Sequence, residues 1–405
     1  MIWSVLHIID IMLWLIMAGS VMYVAFFAFV SLFSHPNHSI KKSIPPTGKS
    51  PLSGGFREAS FLILYPAYHE DAVIINSIQQ FLYSNYPKDK YHLAVISDHM
   101  EDETNAQLVS LSITLLLPSF EKSSKARALQ YAIQKTEQEY DHVVILDADN
   151  VVRPDFLTSL NDVCAQGYKA IQCHRCAKNS DNDIAVLDGV SEEINNSLFR
   201  RAHNFIGMSS ALIGSGMCFD FHWFKEHVNL LNSAVEDREL EAMLMREKVF
   251  IKFEDDIPVF DEKVSNSNNF QRQRLRWMTG QVQTLLLMLP YIPKAIATGN
   301  INYIDKTIQQ ALIPRSMLLV LTLVFAVVSS VISFFILHSS LFTLKWWILF
   351  GLLSVSLFIA MPSALRSRAV FSRLTYLPRL VWHMITNMFK IDRKNKEFIH
   401  TTHTK

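Results

Sequence analysis

The sequence predicts an α/β fold: a domain built around a mostly parallel sheet, joined to about three transmembrane helices and to further helices at the membrane surface. Between residues 58 and 260, apolar runs typical of strands alternate with polar runs typical of helices, which indicates a mostly parallel sheet covered on both faces. Three other segments are apolar and long enough to cross a bilayer about 30 Å thick. Only 19% of the 405 residues are charged, below the ~25% of an average soluble protein, as expected for a partly membrane-embedded chain.

The first predicted transmembrane helix lies within residues 1–35, where positions 11–33 carry no charge. A secretory signal peptide would begin with basic residues and end at a small-residue cleavage site. This segment instead carries Asp10 and no early Lys or Arg, so it is predicted to stay in the mature protein. Residues 316–365 are predicted to hold two more spans, at 316–337 and 346–364.

Charges next to the spans predict their orientation. Lys41, Lys42 and Lys49 lie in a predicted linker at residues 36–57, after the first span, and four arginines follow the third span. The positive-inside rule places both of these flanks in the cytoplasm. The chain is therefore predicted to be a multi-pass protein of the cell's inner membrane, with its main domain, residues 58–280, in the cytoplasm.

Two further stretches are predicted to lie along the membrane surface. Residues 281–315 contain most of an apolar, proline-broken run, 280–296, that is too short to span the bilayer. Residues 366–405 form a tail that includes a run, 370–391, of basic residues mixed with Leu, Trp, Met and Phe, as in interfacial helices. An ordinary helix packed on the domain remains the alternative for this second stretch.

Polar and ionisable side chains occur where the predicted strands end. The strands are predicted at ASFLILYPAY, YHLAVISD, HVVILDAD and YKAIQCH, and helices at DAVIINSIQQFLYS and KARALQYAIQKTEQE. Ligands of parallel sheets bind beyond the carboxyl ends of the strands. The strand-end residues predicted to converge there are Glu70, Asp98, Asp147, Asp149 and His174.

Asp147 and Asp149, at the end of the run DHVVILDADN, form an acidic pair that requires a cation. Two neighbouring anions at the edge of a core are costly unless a cation joins them. No glycine-rich phosphate loop is present. A divalent metal, Mg²⁺ or Mn²⁺, bound to the two carboxylates would neutralise nucleotide phosphates instead. The formal charge of +1 provides no basic field, so no nucleic-acid partner is predicted.

The run FQRQRLRWMTGQ is the second chemical signal. Gln273, Arg276 and Trp277 stand at positions i, i+3 and i+4 of a helix-compatible run and share one helical face. The guanidinium group suits a diphosphate, and the indole offers a flat surface for a sugar ring. Arg272 and Arg274 fall elsewhere on the helix and are expected to contact solvent or lipid headgroups.

Glu236 and Asp237 open a predicted helix in the run VEDRELEAML. Acidic residues in the first turn of a helix commonly offset its dipole. A carboxylate beside a metal–diphosphate site is also suited to take a proton from a hydroxyl group. The residues alone leave both interpretations open.

With VISD, DAD, ED and QRLRW in this order, between an N-terminal span and a C-terminal pair, the chain resembles the membrane-bound family 2 glycosyltransferases of GT-A (Rossmann-like) fold. The branch is the one that includes the cellulose, chitin, hyaluronan and poly-N-acetylglucosamine synthases, and the resemblance is close over residues 58–280. It implies inverting, metal-dependent transfer of a hexose from a UDP-sugar to a glycan or lipid-linked acceptor with a β linkage. The expected setting is the synthesis of cell-surface polysaccharide or glycolipid.

The resemblance also implies a role for each matching residue. On the donor side these are Glu70 and Asp98 at the uridine, Asp102 closing that turn, Lys125 near the nucleotide, Asp147 at nucleotide and metal, and Asp149 at the metal. On the acceptor and diphosphate side they are Asp237 as catalytic base, Glu236 beside it, Gly216 in the loop that lines the acceptor pocket, and Gln273, Arg276 and Trp277 at the leaving diphosphate and acceptor sugar.

Two departures from the family and two other functions remain open. Val235 stands where the family often has Thr, and three spans would need a homo-oligomer or a secretion partner to form a polysaccharide channel. The run ILDADNV also fits the opening motif of haloacid-dehalogenase-type phosphatases, with Asp255 and Asp256 as the closing motif. A non-catalytic membrane scaffold with a transferase-like fold is the other alternative.

Overall fold

An eight-stranded sheet forms the centre of the domain that follows the first membrane helix. The computed structural model describes residues 2–34, 57–233, 235–264, 267–337 and 340–388. The predicted linker, apart from Arg57, and the tail beyond residue 388 lie outside the described residues. The strands are β1 (Phe61–Tyr68), β2 (Tyr91–Asp98), β3 (Thr114–Leu116), β4 (His142–Ile145), β5 (Val151–Val152), β6 (Ala170–Ala177), β7 (Met217–Asp220) and β8 (Ile251–Asp261).

The sheet is mixed, with parallel pairings in the majority, in the order β3-β2-β1-β4-β7-β6-β8-β5. β1 is parallel to β2 and β4, β2 to β3, and β6 to β8. β7 lies between β4 and β6 and is antiparallel to both, and β5 is antiparallel to β8. In the parallel half the strands end at one edge, where Tyr68 pairs with Asp98. The prediction of an α/β fold around a mostly parallel sheet is confirmed.

Helices pack on the sheet and continue into the membrane segments. Up to the last strand they are α1 (Ile2–Ser31), α2 (Ile74–Leu82), α3 (Asp102–Val109), α4 (Lys125–Lys135), α5 (Phe156–Cys164), α6 (Asp183–Asn195), α7 (Ala202–Phe205), α8 (Phe221–His227) and α9 (Glu236–Arg246). After it they are α10 (Ser267–Met288), α11 (Ile292–Ala297), α12 (Ile301–Ala311), α13 (Arg315–Ile332), α14 (Ser340–Ala360), α15 (Arg368–Arg373) and α16 (Leu377–Met388).

The core lies on both faces of the sheet, because successive side chains of a strand point to opposite faces. Leu62 and Leu64 of β1 pack in the cluster that contains the buried residues of α4, and Phe61 and Ile63 pack in the cluster of α2. All four are at most 1% exposed, and each contributes roughly 1.5–3 kcal/mol by burial. A strand covered on both faces is apolar throughout, which explains why β1 is recognisable in the sequence.

Helix α4 brings a lysine to the carboxyl edge of the sheet. The Ser124 side chain caps the helix by accepting a hydrogen bond from the Arg127 N–H, at 3.2 Å. Leu129 and Ile133, four residues apart, are buried against the sheet. The same geometry leaves Lys125 in the first turn, next to the strand ends.

Among the described residues, three helices are long and apolar enough to cross a membrane, at His7–Ser31, Arg315–Phe335 and Phe342–Ala360. They correspond to the three predicted spans, with shifted ends. An isolated charge in such a segment is costly. Asp10 of α1 therefore forms an ion pair with Lys345 of α14 and accepts a hydrogen bond from Trp346 Nε1, at 2.9 Å, which joins the two helices.

Helix α10 differs from the sequence prediction because it runs through the expected domain boundary at residue 280. No proline interrupts the chain between residue 267 and Pro290, so the run QRLRW and the apolar run after it form one helix. α16 packs against α10 and α13, and Asn387 Nδ2 donates a hydrogen bond to the Gln271 carbonyl, at 2.8 Å. α16 is thus packed on the rest of the protein while Trp382 stays exposed.

Candidate active site

A cavity of about 390 Å³ opens at the carboxyl ends of β1, β2 and β4. Helices α4, α9 and α10 supply further walls. The strand-end acids and the residues of the QRLRW run, which are far apart in the sequence, face this one cavity. The predicted site residues that line it are Glu70, Asp98, Lys125, Asp147, Asp149, Glu236, Asp237, Gln273, Arg276 and Trp277.

Three other predicted residues do not line the cavity. Asp102 is exposed at the start of α3. His174 lies within β6, which continues to Ala177, and its ring nitrogens contact Glu193 and Asp255 instead.

Gly216 lies behind the cavity wall, where an added Cβ would approach the Val259 side chain to 3.0 Å. Gly214, with φ of +78°, is the glycine of the GSGMCF loop that lines the cavity. The expectation that Gly216 lines the pocket is therefore corrected, since Gly216 packs against the side chains of Val259 and Cys173 instead.

Lys125 joins the acidic groups at the centre of the cavity. Its Nζ donates hydrogen bonds to Asp147 Oδ1, at 2.5 Å, and to the Gly214 carbonyl, at 2.6 Å. The same atom lies 3.3 Å from Glu236 Oε1. Burial acts to lower the pKa of Lys125, but Asp147 and Glu236 outweigh it and hold this pKa above its usual value. Lys125 is therefore a permanent cation that orders the surrounding carboxylates.

The pKa of Glu236 differs from that of an ordinary surface glutamate. Burial raises its pKa to about 7, Lys125 opposes the rise, and neighbouring Asp237 adds to it. The charge of Glu236 therefore changes near neutral pH when no divalent cation is present.

Replacing Glu236 with Gln is expected to change the pH dependence of stability. Between pH 4.5 and about 7 the folded chain retains a proton that the unfolded chain has released, so wild-type stability falls as the pH rises through this window. The free energy of unfolding of Glu236→Gln should not show this decline, which in the wild type is on the order of 1–3 kcal/mol. Thermal unfolding in detergent with a chelator, from pH 5 to 8, measures it. The exposed Glu137→Gln is the control and follows the wild type; parallel profiles for Glu236→Gln would contradict the assignment.

The turn after β4 is held by a buried asparagine that sequence reasoning missed. Asn150 is fully buried, and its Nδ2 donates a hydrogen bond to Asp149 Oδ1, at 3.1 Å. Its Oδ1 accepts a hydrogen bond from the Asp147 N–H, at 3.0 Å. The Glu262 N–H donates to Asp149 Oδ2, at 2.6 Å. These bonds fix the Asp149 carboxylate and the backbone of Asp147, and the only sequence signal for Asn150 was its place directly after the acidic pair.

The residues present fit a hard divalent cation. Asp147, Glu236 and Asp237 all act on Lys125, so negative charge exceeds positive charge at this point of the cavity. Asp149 adds a further carboxylate, only 3% exposed, on the same wall. Carboxylate oxygens are the ligands that Mg²⁺ and Mn²⁺ prefer. Asp147 and Asp149 would hold the ion, and it would offset the charge of a bound diphosphate.

On α10, Gln273 and Trp277 face the cavity together with Arg274. Within the described residues, Gln273 Oε1 is buried and accepts no hydrogen bond. The Arg274 guanidinium lies 4.5 Å from the centre of the Trp277 ring and forms an ion pair with Asp188. The expectation that Arg274 contacts solvent or headgroups is wrong, because residues at i and i+3 are neighbours on a helix. Arg272 is exposed, as expected.

Sequence reasoning also missed a buried ionic cluster in the cavity wall. Glu192 pairs with Arg200 Nη1, at 3.0 Å, and with Arg175 Nη2, at 3.4 Å. Arg175 Nε also lies 3.2 Å from Asp261 Oδ2. Burial acts to raise the pKa of Glu192, but Arg175 and Arg200 lower it to about 2. No motif marks these residues, which come from β6, β8, α6 and the π-helical segment Asn196–Arg201 that follows α6.

The phosphatase alternative requires the closing aspartates near Asp147. Asp255 lies within β8 and accepts hydrogen bonds from Arg201 Nε, at 2.9 Å, and Nη2, at 2.6 Å. Asp256 is exposed. Neither lines the cavity that contains Asp147. The geometry therefore does not bring together the two motifs of that enzyme class.

Residues 59–280 match the family model described as "Glycosyltransferase like family 2". The structure of the mannosyltransferase PcManGT from Pyrobaculum calidifontis with GDP-Man and Mn²⁺ is similar over 95% of this chain and 99% of its own, with 15% identity and a TM-score of 0.54. At that identity the likeness shows the fold. No curated protein sequence matches the chain.

Two further solved structures are more distant. A crystal structure of TarS from S. aureus is similar over 85% of this chain and 98% of its own, with 11% identity and a TM-score of 0.42. Glucosyl-3-phosphoglycerate synthase from Mycobacterium tuberculosis, in complex with Mn²⁺, UDP and glucosyl-3-phosphoglycerate, is similar over 51% of this chain and 72% of its own, with 18% identity and a TM-score of 0.35.

Proposed function

The chain belongs to glycosyltransferase family 2, and from this we propose that it transfers a hexose from a UDP-sugar to a hydroxyl group of a glycan or lipid-linked acceptor, with inversion to a β linkage. The observation that carries the proposal is the single cavity shared by the strand-end acids, Asp237 and the QRLRW residues. The reaction would serve cell-surface polysaccharide or glycolipid synthesis. The basic flanks of the spans support a multi-pass place in the cell's inner membrane with the catalytic domain in the cytoplasm.

The donor binds at the carboxyl edge of the sheet. Glu70 and Asp98, 9% and 3% exposed, lie at the ends of β1 and β2 and face the uridine. Asp147 would contact the nucleotide and, with Asp149, would hold Mg²⁺ or Mn²⁺. Lys125, fixed between Asp147 and Glu236, adds a positive charge beside the diphosphate. A divalent cation held there would supply Lewis-acid stabilisation of the leaving diphosphate.

Asp237 is the proposed catalytic base. Its Oδ1 accepts a hydrogen bond from the Arg238 N–H, at 2.8 Å, which orients the carboxylate at the start of α9. The acceptor hydroxyl oxygen attacks the anomeric carbon, its proton passes to Asp237, and the bond from that carbon to the diphosphate oxygen breaks. The electron pair of that bond leaves with UDP. A single displacement of this kind inverts the configuration at the anomeric carbon.

Residues of α10 hold the two groups that meet in this step. Arg276 lines the cavity and suits the leaving diphosphate, because its guanidinium forms charge-assisted hydrogen bonds with phosphate oxygens. Trp277 offers a ring face to the acceptor sugar. Gln273 Oε1 is the proposed acceptor for a sugar hydroxyl hydrogen bond, because it is buried and takes no other within the described residues.

The test is nucleotide release by the full chain in purified native membranes, which supply the acceptor, across a panel of UDP-sugars with GDP-mannose as a further arm. We expect release with one donor in the presence of Mg²⁺ or Mn²⁺ and none with a chelator. The exposed Asp162→Asn should keep this activity and Asp149→Asn should lose it. Metal-dependent nucleotide binding without turnover would favour a non-catalytic scaffold, and phosphate release from a simple monoester would favour a phosphatase.

A further inference from the structure

The cavity is not closed by the catalytic domain alone. Val24 of α1, Ser316 of α13 and Met384 of α16 line it together with the site residues. α1 and α13 are two of the three helices apolar enough to cross a membrane. α16 packs against α13, and Ser316 Oγ contacts Met384 Sδ, at 3.3 Å. The cavity therefore extends from the strand ends to the junction of these three helices.

This junction lies at the level of the membrane boundary. Helix α13 starts at Arg315, directly after Pro314, and its apolar stretch continues from there. Trp382 and Tyr376, next to the junction in sequence, are 64% and 46% exposed. Exposed Trp and Tyr side chains are typical of the interface between lipid headgroups and hydrocarbon. A molecule in the cavity can thus extend an apolar portion directly into the bilayer.

Arg315 brings a positive charge to this end of the cavity. Its Nη2 donates hydrogen bonds to the Ser191 carbonyl, at 3.1 Å, and to Asn195 Oδ1, at 2.6 Å, both neutral. Its guanidinium carbon lies 5.7 Å from the centre of the Phe199 ring. In the part of the chain that the structure describes, no carboxylate oxygen lies within 4.0 Å of this guanidinium, and no hydrogen bond uses its Nε or Nη1.

Three other arginines of the wall differ from Arg315 in this respect, whereas Arg238 donates a hydrogen bond to the neutral Gln310 Oε1. Arg175, Arg200 and Arg274 each have a carboxylate partner. A partly buried arginine charge without a counter-ion raises the free energy of the folded protein, and a bound anion lowers it again. The Nε and Nη1 donors of Arg315 match phosphate oxygens in geometry and charge. A neutral glycan would not supply the missing negative charge.

We propose that the acceptor is a lipid-linked sugar phosphate whose phosphate binds Arg315 and whose lipid chain leaves between α1, α13 and α16. The sugar of this acceptor points toward Asp237, and the bond between its phosphate and the lipid is unchanged by the transfer. The inference rests on the proposed function and specifies its acceptor class. It also accounts for a cavity that joins a donor site to the membrane boundary.

Binding of simple probes tests the proposal without knowledge of the acceptor sugar. The full chain in phosphatidylcholine nanodiscs is titrated with phytanyl phosphate, with phytanol and with inorganic phosphate, and bound molecules are counted by native mass spectrometry. We expect phytanyl phosphate to bind the wild type at least about tenfold more tightly than either other probe, because each of these lacks one half of the recognised structure. Phytanol binding equal to phytanyl phosphate, or equal binding of inorganic phosphate, would overturn the proposal, and neither comparison needs a variant.

Variants then assign the phosphate contact. Arg315→Gln is expected to weaken phytanyl phosphate binding on the order of tenfold, and Arg315→Lys, which keeps the charge, is expected to recover most of it. Arg368→Gln removes an exposed arginine near the same membrane flank and serves as the matched control. Equal affinity in Arg315→Gln and Arg368→Gln would overturn the assignment.

Donor binding in the same nanodiscs separates this inference from the proposed function. We expect UDP-sugar binding with Mn²⁺ to be unchanged in Arg315→Gln. If the wild type does not bind the donor but still prefers phytanyl phosphate, the proposed function alone is contradicted. Donor binding without that preference would count against the lipid-linked acceptor alone.

Discussion

Replacing Asp237 with Asn is expected to lower sugar transfer by about 10²–10⁴-fold while donor binding stays within about twofold of the wild type. Asn has nearly the same shape as Asp but cannot take the proton of the acceptor hydroxyl. Its amide oxygen can still accept the hydrogen bond from the Arg238 N–H, so the start of α9 should keep its geometry. The donor-side contacts of Lys125 with Asp147 and Glu236 do not involve the Asp237 side chain.

Two measurements in the same preparation check this prediction: UDP release in the presence of acceptor, and equilibrium binding of the UDP-sugar with Mn²⁺. Asp162→Asn makes the same chemical change on the exposed face of α5 and should leave both unchanged. Transfer by Asp237→Asn at the wild-type rate would remove Asp237 from the mechanism. Loss of donor binding together with transfer would assign it to the donor site instead of the acceptor.

Replacing Glu192 with Gln is expected to destabilise the protein by about 3–5 kcal/mol. Glu192 is 5% exposed and is the carboxylate partner of Arg200, which is 3% exposed. Without it, the remaining hydrogen-bond partners of Arg200 are the neutral Asn196 Oδ1 and the Ala211 carbonyl. Arg175 keeps Asp261 but loses its second carboxylate. The variant therefore leaves the buried Arg200 guanidinium without a carboxylate in direct contact among the described residues.

Thermal unfolding in detergent at pH 7, compared with the exposed Glu226→Gln, measures this loss. The pH dependence provides a second check, because Arg175 and Arg200 lower the pKa of Glu192 to about 2 from an unfolded value near 4.5. The stabilisation by Glu192 is fully present above pH 4.5 and is lost as the pH falls toward 2. The difference between wild type and Glu192→Gln should therefore shrink below pH 4.5. A difference under 1 kcal/mol at pH 7 would mean that the cluster is not important for stability.

The main strands could be predicted because β1, β2, β4 and β6 are buried on both faces and are apolar over most of their length. The short strands could not. β3 has three residues and β5 has two, so neither is long enough to show the residue pattern that predicts a strand. The direction of β7 was also hidden, because hydrophobic alternation is the same in parallel and antiparallel strands. Antiparallel β7 next to β4 is what places Gly214, rather than Gly216, against Lys125.

Site residues could be predicted from the sequence where their spacing along one helix places them on the same face. Gln273 and Trp277 share a helical face by their i, i+4 spacing, and the structure places both in the cavity. Arg274 was misassigned, although its i, i+3 relation to Trp277 was a signal for it. Asn150 had only its position in the sequence, and the ionic pairs of Glu192 join residues from separate elements.

By itself, the amino-acid sequence determined the α/β class, the three apolar spans, the acidic strand ends and the chemical types of the residues around the cavity. Each of these depends on a local property: burial of a run, length of an apolar segment, or the period of a helix. Only the tertiary structure decided which groups meet: Lys125 between Asp147 and Glu236, Arg274 on Trp277, and Arg315 at a cavity that reaches the membrane helices. Such pairings depend on strand order and helix packing, which bring together residues that are distant in the sequence. No periodic pattern of the sequence marks them.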